Sequence, residues 1–197
     1  MNKYFDRHFN KDIITIYPGE FWSSTGPELI STVLGSCVSI TLFDPIAVIG
    51  GMNHFMLAKD SSNTVADSGG KLLSKYGEYA MSLLIEDMEK KGAKLSRCTA
   101  KVFGGSNIFN VPTASATNIG FANIEFAFDF LQQNKIQIVS SDTGGKAPRK
   151  IYFDPVTSKV YLKHIATYNE QEGEMQKSKE RQYIEYLASL NLSAKRQ

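Results

Sequence analysis

The sequence lacks the features that identify metal-binding and nucleic-acid-binding proteins. It has two cysteines and three histidines in 197 residues, without paired Cys-x-x-Cys motifs or a histidine cluster. We therefore expect no bound metal. Lys and Arg number 22 against 20 Asp and Glu, and the basic residues occur in scattered pairs. This balance, with no zinc-finger or RNA-binding motif, argues against nucleic acid as a partner.

Long apolar runs are also missing. Residues 1–12 contain no apolar stretch of signal-peptide length. No segment approaches the roughly 20 apolar residues that cross a bilayer. The sequence therefore predicts a cytoplasmic protein that does not insert into a membrane, with reduced thiols at Cys37 and Cys98 rather than a disulfide. Cys98 lies in a predicted strand without a comparably placed histidine, so we predict that it is a core residue.

The amino-acid composition favours one folded domain with an appendage. Hydrophobic residues make up 42% and charged residues 21%, as in globular proteins. Residues 1–165 are predicted to form the domain, and residues 166–197 a polar extension with one amphipathic helix. Ile184, Leu187 and Leu190 share one face of that helix. We expect it to pack on the domain, the alternative being that it covers a partner or the chain's own active site.

Strand patterns outnumber helical patterns within the predicted domain. The predicted strands are 13–17, 29–34, 37–43, 48–57, 98–103, 136–140, 150–154 and 159–164, and residues 22–27 are predicted turns. One helix is predicted to follow Gly69–Gly70 and to stop at Gly92, and a second to run from about Asn118, a candidate cap, to Gln133. These elements predict an α+β fold with a strand-rich core and both helices on one face.

The segment that carries chemistry spans two of the predicted strands. If 37–43 and 48–57 form a hairpin centred on Pro45–Ile46, Asp44 opposes Ala47 and Cys37 lies directly opposite His54. Directly opposed side chains have Cβ atoms about 4.5–5.5 Å apart, so a thiol and an imidazole would meet. The same register puts the apolar side chains on the opposite, core-facing side: Val38, Ile40, Leu42, Ile49 and Phe55.

A cysteine beside a histidine is typical of a nucleophile with its base. The thiolate attacks a carbonyl, and the imidazole takes the thiol proton and returns it to the leaving amine. Backbone N–H groups of the Gly35–Ser36 turn would face the developing oxyanion. Ser31 and Thr32 are the candidate hydroxyls to orient the imidazole, and strand alternation allows only one of them to do so. The alternative is that Cys37 and His54 are ordinary core residues.

Eight motifs in collinear order over residues 13–164 resemble the CheD family of chemoreceptor glutamine deamidases. They are T-V-L-G-S-C-V (32–38), Asp44–Pro45, G-G-M-N-H-F-M-L (50–57), Y-G…A-M (76–81), A-K-V-F-G-G-S-N (100–107), N-I-G-F-A-N (118–123), D-T-G-G (142–145) and R-K-I-Y-F-D-P (149–155). The resemblance implies a three-layer α/β/β sandwich related to bacterial deamidase toxins. It also implies hydrolysis of glutamine side-chain amides, with glutamyl methyl esters as a second candidate substrate.

The resemblance assigns roles to particular residues. The catalytic cysteine and histidine of the family fall on Cys37 and His54, and its threonine on Thr32 or Ser31, of which we favour Thr32. The predicted substrate-binding residues are Ser31, Ser36, Phe103, Gly104 and Gly105. Residues 103–106 would form part of the cleft wall, where the small residues of this segment let a substrate helix approach, although a turn that requires positive φ is an equal alternative.

Two further features concern the loops. Ser106 stands where alanine is common in the family, which adds a hydroxyl. Residues 142–145 with Arg149 are predicted to form a plain hairpin connection, the alternative being a loop beside the active site.

The resemblance also implies partners. The substrate would be the helical cytoplasmic region of methyl-accepting receptors, and no cofactor is required. The alternative functions are a non-enzymatic adaptor or regulator of a CheC-type phosphatase, and a cysteine peptidase or transglutaminase.

Overall fold

The computed structural model describes residues 1–56, 69–107 and 119–165 and the single position 182, with the backbone alone for 69–76. Apart from position 182, the predicted tail helix with its apolar face lies outside the described residues, as does the candidate cap Asn118. The division of the chain at residue 165 therefore stays a prediction. None of the helices in the described ranges is long and apolar enough to cross a bilayer.

The described residues form ten strands, two α-helices and a short 3-10 helix at Leu95–Arg97. The strands are β1 (Asn2–Asp6), β2 (Lys11–Thr15), β3 (Phe21–Ser24), β4 (Leu29–Leu34), β5 (Val38–Asp44), β6 (Ile49–Asn53), β7 (Thr99–Gly104), β8 (Gln137–Thr143), β9 (Arg149–Phe153) and β10 (Val160–His164). The helices are α1 (Gly69–Lys90) and α2 (Ile119–Gln133).

Two strands form where the sequence does not predict them. β1 is an edge strand whose residues are exposed or half-buried, so it has no apolar alternation to reveal it. β3 has four residues, two of them serines, between the Pro18–Gly19 and Gly26–Pro27 turn signals. It pairs with β6, and that tertiary contact overrides the turn prediction for 22–27.

The strands form two five-stranded mixed sheets. The outer sheet has the order β1-β2-β4-β9-β10 and the middle sheet the order β3-β6-β5-β7-β8. β2 and β4 are parallel, as are β7 and β8. α1 contacts β3 and β6, while α2 contacts β5, β7 and β8. Both helices therefore cover one face of the middle sheet, as predicted.

Two apolar layers join these elements. The first lies between the helices and the middle sheet and contains the side chains predicted to face the core: Val38, Ile40, Leu42, Ile49 and Phe55. The second joins Ile30 and Ile151 of the outer sheet to Met52 and Phe103 of the middle sheet, and it also includes Cys37. Helices, middle sheet and outer sheet thus form the expected three-layer α/β/β sandwich.

The β5–β6 hairpin forms in a register different from the predicted one. Four residues, 45–48, connect the strands, and Asp44 pairs with Ile49 rather than with Ala47. The Asp44 carboxylate accepts hydrogen bonds from the backbone N–H groups of Ile46 and Ala47 at 2.9 and 3.2 Å. This side-chain-bonded turn adds two residues to the loop. Because the shift is two residues, every side chain stays on its predicted face.

The connection between β8 and β9 is not the predicted hairpin. β8 pairs with β7 in the middle sheet, whereas β9 pairs with β4 and β10 in the outer sheet. Residues 144–148 therefore cross from one layer to the other. Gly144 and Gly145 adopt φ of 73° and 75°, which glycine tolerates without strain.

Candidate active site

Cys37 and His54 lie beside an isolated bridge that extends the β5–β6 pair. Val38 and Phe55 exchange both main-chain hydrogen bonds, at 3.0 and 2.9 Å. The prediction that Cys37 directly opposes His54 is therefore wrong, because with Val38 opposite Phe55 the residue opposite Cys37 is Met56. Cys37 and His54 are diagonal neighbours on one face, a relation that places such pairs roughly 7–8 Å apart. Both are buried.

The main-chain groups of His54, which follows β6, form hydrogen bonds with residues 19 and 20 rather than with β5. Its N–H donates to the Glu20 carbonyl at 2.9 Å, and its carbonyl accepts from Gly19 N–H at 2.7 Å. One residue earlier, the side-chain oxygen of Asn53 accepts a 2.9 Å hydrogen bond from the N–H of Ile40. These bonds fix the His54 backbone against the segment before β3.

Thr32 contacts the imidazole of His54 from the outer sheet. Thr32 Oγ1 lies 2.7 Å from His54 Nδ1 and donates a hydrogen bond of 2.8 Å to the carbonyl of Ile16. A hydroxyl has one hydrogen, so Thr32 must accept from Nδ1–H. The proton therefore sits on Nδ1, and Nε2 carries the lone pair. Nε2 is buried and has no hydrogen-bond partner among the residues described.

Ser31, the other candidate hydroxyl, makes no hydrogen bond to His54. It is buried, and its Oγ has no hydrogen-bond partner within the described ranges. Successive side chains of β4 point to opposite faces, so Ser31 points away from the layer that Thr32 enters. The geometry thus favours Thr32 as the residue that orients the imidazole.

His54 is neutral at physiological pH. Burial lowers the pKa of His54 from 6.5 to about 3, and the main-chain carbonyl of Ile16 opposes only part of that effect. A neutral imidazole with its lone pair on Nε2 can accept a proton, which is what a general base requires.

The turn that carries Cys37, residues 35–37, is held by its carbonyl groups. Each of its three carbonyls accepts a hydrogen bond from a described residue. Ser106 N–H donates to the Gly35 carbonyl at 2.7 Å, and Asn123 Nδ2 donates to the Ser36 carbonyl at 2.8 Å. Gly105 N–H donates to the Cys37 carbonyl at 2.7 Å. The turn is therefore fixed by α2 and by the glycine loop, which we define as residues 104–107.

The glycine loop approaches this turn too closely for a side chain. Gly104 has φ of 110°, and a Cβ there would overlap the carbonyl oxygen of Cys37. Gly105 has φ of 70°, and a Cβ at Gly120 of α2 would lie 2.6 Å from its oxygen. These observations support the turn interpretation of the two glycines. Phe103 is buried in the layer between the sheets, and substrate binding by 103–105 stays a prediction.

Arg149 links the glycine loop to the β8–β9 connection. Its buried guanidinium donates to Ser106 Oγ at 2.9 Å, to Asp142 Oδ1 at 2.5 Å, and to the carbonyls of Asp142 and Gly144. Gly144 N–H in turn donates to the Gly104 carbonyl at 2.9 Å. Residues 142–145 therefore lie beside the glycine loop, and their place beside the active site stays a prediction.

Cys98 lies apart from this constellation. It is buried in the layer between the helices and the middle sheet, which confirms the prediction of a core residue. Burial raises the pKa of the Cys98 thiol to about 11, with a smaller contribution from the charge of Asp44. Such a thiol remains protonated in neutral solution. In the part of the chain described, no three His, Cys, Asp or Glu side chains gather as metal ligands.

Comparisons with known proteins identify relatives over most of the chain. Residues 56–164 match the family model described as "CheD chemotactic sensory transduction". A Shewanella oneidensis protein named "Probable chemoreceptor glutamine deamidase CheD 1" is 43% identical over 166 residues, 84% of this chain and 79% of the relative. "Probable chemoreceptor glutamine deamidase CheD" of Janthinobacterium sp. (strain Marseille) is 42% identical over 168 residues, 85% and 81% of the two chains.

A solved structure was also matched. It is the Bacillus licheniformis hypothetical protein YfiH, with a TM-score of 0.41, 14% identity, and coverage of 64% of this chain and 51% of that one.

Proposed function

The chain belongs to the CheD family, and on that premise we propose that it is a hydrolase that deamidates glutamine side chains of chemoreceptors. The names of the Shewanella and Janthinobacterium relatives carry this activity. The observation that carries the proposal within this chain is the contact of Thr32 with His54, because it leaves Nε2 unprotonated. Nε2 belongs to the side chain that shares a face with Cys37.

The proposed reaction is acyl transfer through a thioester. His54 Nε2 takes the Cys37 thiol proton, and the thiolate sulfur attacks the δ-carbonyl carbon of the glutamine. The tetrahedral intermediate collapses as the C–N bond breaks, and His54 gives the proton to the departing ammonia. Water, deprotonated by His54, then breaks the thioester. The products are glutamate and ammonia, and the Cys37 thiol is restored.

Two groups support these steps without bonding to the substrate carbon. Thr32 accepts the Nδ1 hydrogen and keeps the proton-accepting lone pair on Nε2. Backbone N–H groups of the turn 35–37 stabilise the oxyanion, and losing one such donor typically costs about 2.7–4 kcal/mol of transition-state stabilisation. No cofactor takes part in this scheme.

The substrate in this proposal is the helical cytoplasmic region of the receptors, so the protein acts in the cytoplasm. Each deamidation converts a neutral side chain into a carboxylate, which changes the charge of the receptor helix. Glutamyl methyl esters are a second proposed substrate because the same thioester forms with methanol as the leaving group. We assign the reaction to residues 1–165 and propose that 166–197 is an extension.

Mass spectrometry of a receptor cytoplasmic fragment tests the proposal. Incubation with the protein should convert particular glutamines to glutamates and release ammonia, and Cys37→Ala should abolish both. Chain cleavage would indicate a peptidase, and cross-linked products would indicate a transglutaminase. An unmodified fragment, with signalling output unaffected by Cys37→Ala, would contradict the proposal and favour an adaptor of a CheC-type phosphatase.

A further inference from the structure

Asn123 is a fully buried polar residue in α2 that the proposed mechanism does not use. Its side-chain Nδ2 donates a 2.8 Å hydrogen bond to the carbonyl of Ser36, the residue before Cys37. We propose that Asn123 is a positioning residue, which fixes the Ser36–Cys37 peptide so that the Cys37 N–H faces the oxyanion. This inference rests on the proposed function and names one more residue on which the same site depends.

The argument follows from the geometry of a peptide unit. In a planar trans peptide the C=O and N–H bonds point in opposite directions. The Ser36 carbonyl points towards α2, which covers the helix-facing side of the middle sheet. The Cys37 N–H belongs to the same peptide and therefore points away from α2, towards the side on which His54 contacts Thr32.

The next peptide shows the same relation within this turn. The Cys37 carbonyl accepts a 2.7 Å hydrogen bond from Gly105 N–H. The Val38 N–H, at the other end of that peptide, points the opposite way and donates to the Phe55 carbonyl at 3.0 Å. Holding a carbonyl thus sets the direction of the following N–H at this position.

α2 is held firmly enough to place the Asn123 amide. A Cβ at Gly120 would lie 2.6 Å from the Gly105 oxygen and 3.1 Å from the Ser106 oxygen, so the backbones touch there. Asn123 follows Gly120 by three residues and lies on the same face of the helix. The close contact at Gly120 therefore aligns the Asn123 side chain with Ser36.

Among the described residues that donate to the carbonyls of the turn 35–37, Asn123 does so through its side chain, whereas Gly105 and Ser106 do so through the main chain. The Asn123 amide can therefore be removed by substitution while the main-chain donors Gly105 and Ser106 remain. Asn123→Asp keeps the size of the side chain but replaces the donor with an acceptor that repels the Ser36 carbonyl. Asn123→Ala removes the donor without adding repulsion.

The test compares kcat and KM for deamidation of a receptor cytoplasmic fragment by the wild-type chain and the two variants. Activity is expressed per folded molecule, with the folded fraction taken from the unfolding transition. Loss of one oxyanion donor lowers kcat by about 10²–10³-fold. We expect a loss approaching that size for Asn123→Asp and a smaller loss for Asn123→Ala. KM should stay within about threefold, because substrate binding is unaffected.

Asn134→Asp is the matched control. Asn134 lies one residue beyond α2 and is exposed, and its Nδ2 also donates to a main-chain carbonyl, that of Phe130, at 2.8 Å. The same substitution there should leave kcat within about twofold of wild type, since no part of the site contacts it.

The outcomes separate this inference from the proposed function. If wild type does not deamidate the fragment, the proposed function fails. If wild type is active and both variants keep kcat per folded molecule within about threefold of it, the inference is overturned. A change confined to KM, or a loss that disappears once activity is corrected for the folded fraction, overturns it as well, since it would show a merely structural role.

Discussion

Thr32 Oγ1 lies 2.7 Å from Nδ1 of His54 while it donates its own hydrogen to the Ile16 carbonyl. This one contact determines the tautomer of the imidazole. Thr32, in the outer sheet, thereby makes Nε2 the proton-accepting atom of His54, which follows β6 of the middle sheet. The chemistry proposed for the site therefore depends on the packing of the two sheets.

Replacing Thr32 should impair turnover more than replacing Ser31. Thr32→Val keeps the shape but removes the acceptor for Nδ1–H, so the imidazole loses its fixed tautomer. Acid–base catalysis contributes about 10²–10⁴-fold, and we expect a loss of kcat near the lower end of that range. Ser31→Ala removes a hydroxyl that has no partner among the described residues and should change kcat little. Side-by-side assays with the order reversed would transfer the orienting role to Ser31.

The buried neutral His54 should make the fold sensitive to acid. Its pKa is about 3 when folded and about 6.5 when unfolded. The folded state therefore binds fewer protons between these values, and the stability associated with neutral His54 is complete above pH 6.5. It is lost progressively as the pH falls from 6.5 towards about 3.

His54→Asn isolates this contribution. The free energy of unfolding of wild type should fall by a few kcal/mol more than that of the variant over the same interval. Chemical denaturation at a series of pH values measures both. Parallel curves for the two proteins would show that His54 does not titrate with a lowered pKa.

Asp44 should be important for stability rather than for turnover. Burial alone would raise its pKa, but hydrogen bonds from Arg97 and from main-chain N–H groups, including Lys94, lower it to about 2. Breaking a fully buried charge pair costs about 3–5 kcal/mol. The Asp44 carboxylate is buried but the Arg97 side chain is partly exposed, so Asp44→Asn should destabilise the fold by less than that range. Asp87→Asn, at a partly exposed pair with Lys91, should cost about 1 kcal/mol or less. Equal unfolding free energies for the two variants would contradict this assignment.

The side-chain faces of the β5–β6 hairpin could be predicted from the sequence, but its register could not. Alternation of apolar residues places Val38 and Phe55 towards the helices, as the structure has them. The loop length depends on the Asp44 side chain, which accepts two main-chain hydrogen bonds and lengthens the turn. Periodicity contains no information about that choice.

Contacts between segments that are distant in the sequence also could not be predicted from sequence patterns. The Gly144–Gly145 signal predicts a turn correctly but does not show that β8 and β9 join different sheets. Asn123 gives no apolar or charge signal, and its contact with Ser36 depends on how α2 packs against the glycine loop. By contrast, the preference for Thr32 over Ser31 agrees with the contact to His54.

Truncation after Ile165 tests the extension. We expect the shortened chain to be less stable and to keep its specific activity, because a helix packed on the domain contributes burial of roughly 1.5–3 kcal/mol for each fully buried apolar side chain. Thermal unfolding and the deamidation rate measure the two effects. Higher activity with unchanged stability would instead support a helix that covers the active site.

The most direct test of the account is the deamidation rate of a receptor fragment by Cys37→Ala, His54→Ala and Cys98→Ala, measured beside wild type by mass spectrometry. A nucleophile and its base act as a unit, so each of the first two changes should lower the rate by at least about 10³-fold. Cys98→Ala should lower the unfolding free energy and leave the rate per folded molecule near that of wild type. A well-folded Cys98→Ala variant without activity, or an active Cys37→Ala variant, would contradict the assignment of Cys37 as the nucleophile.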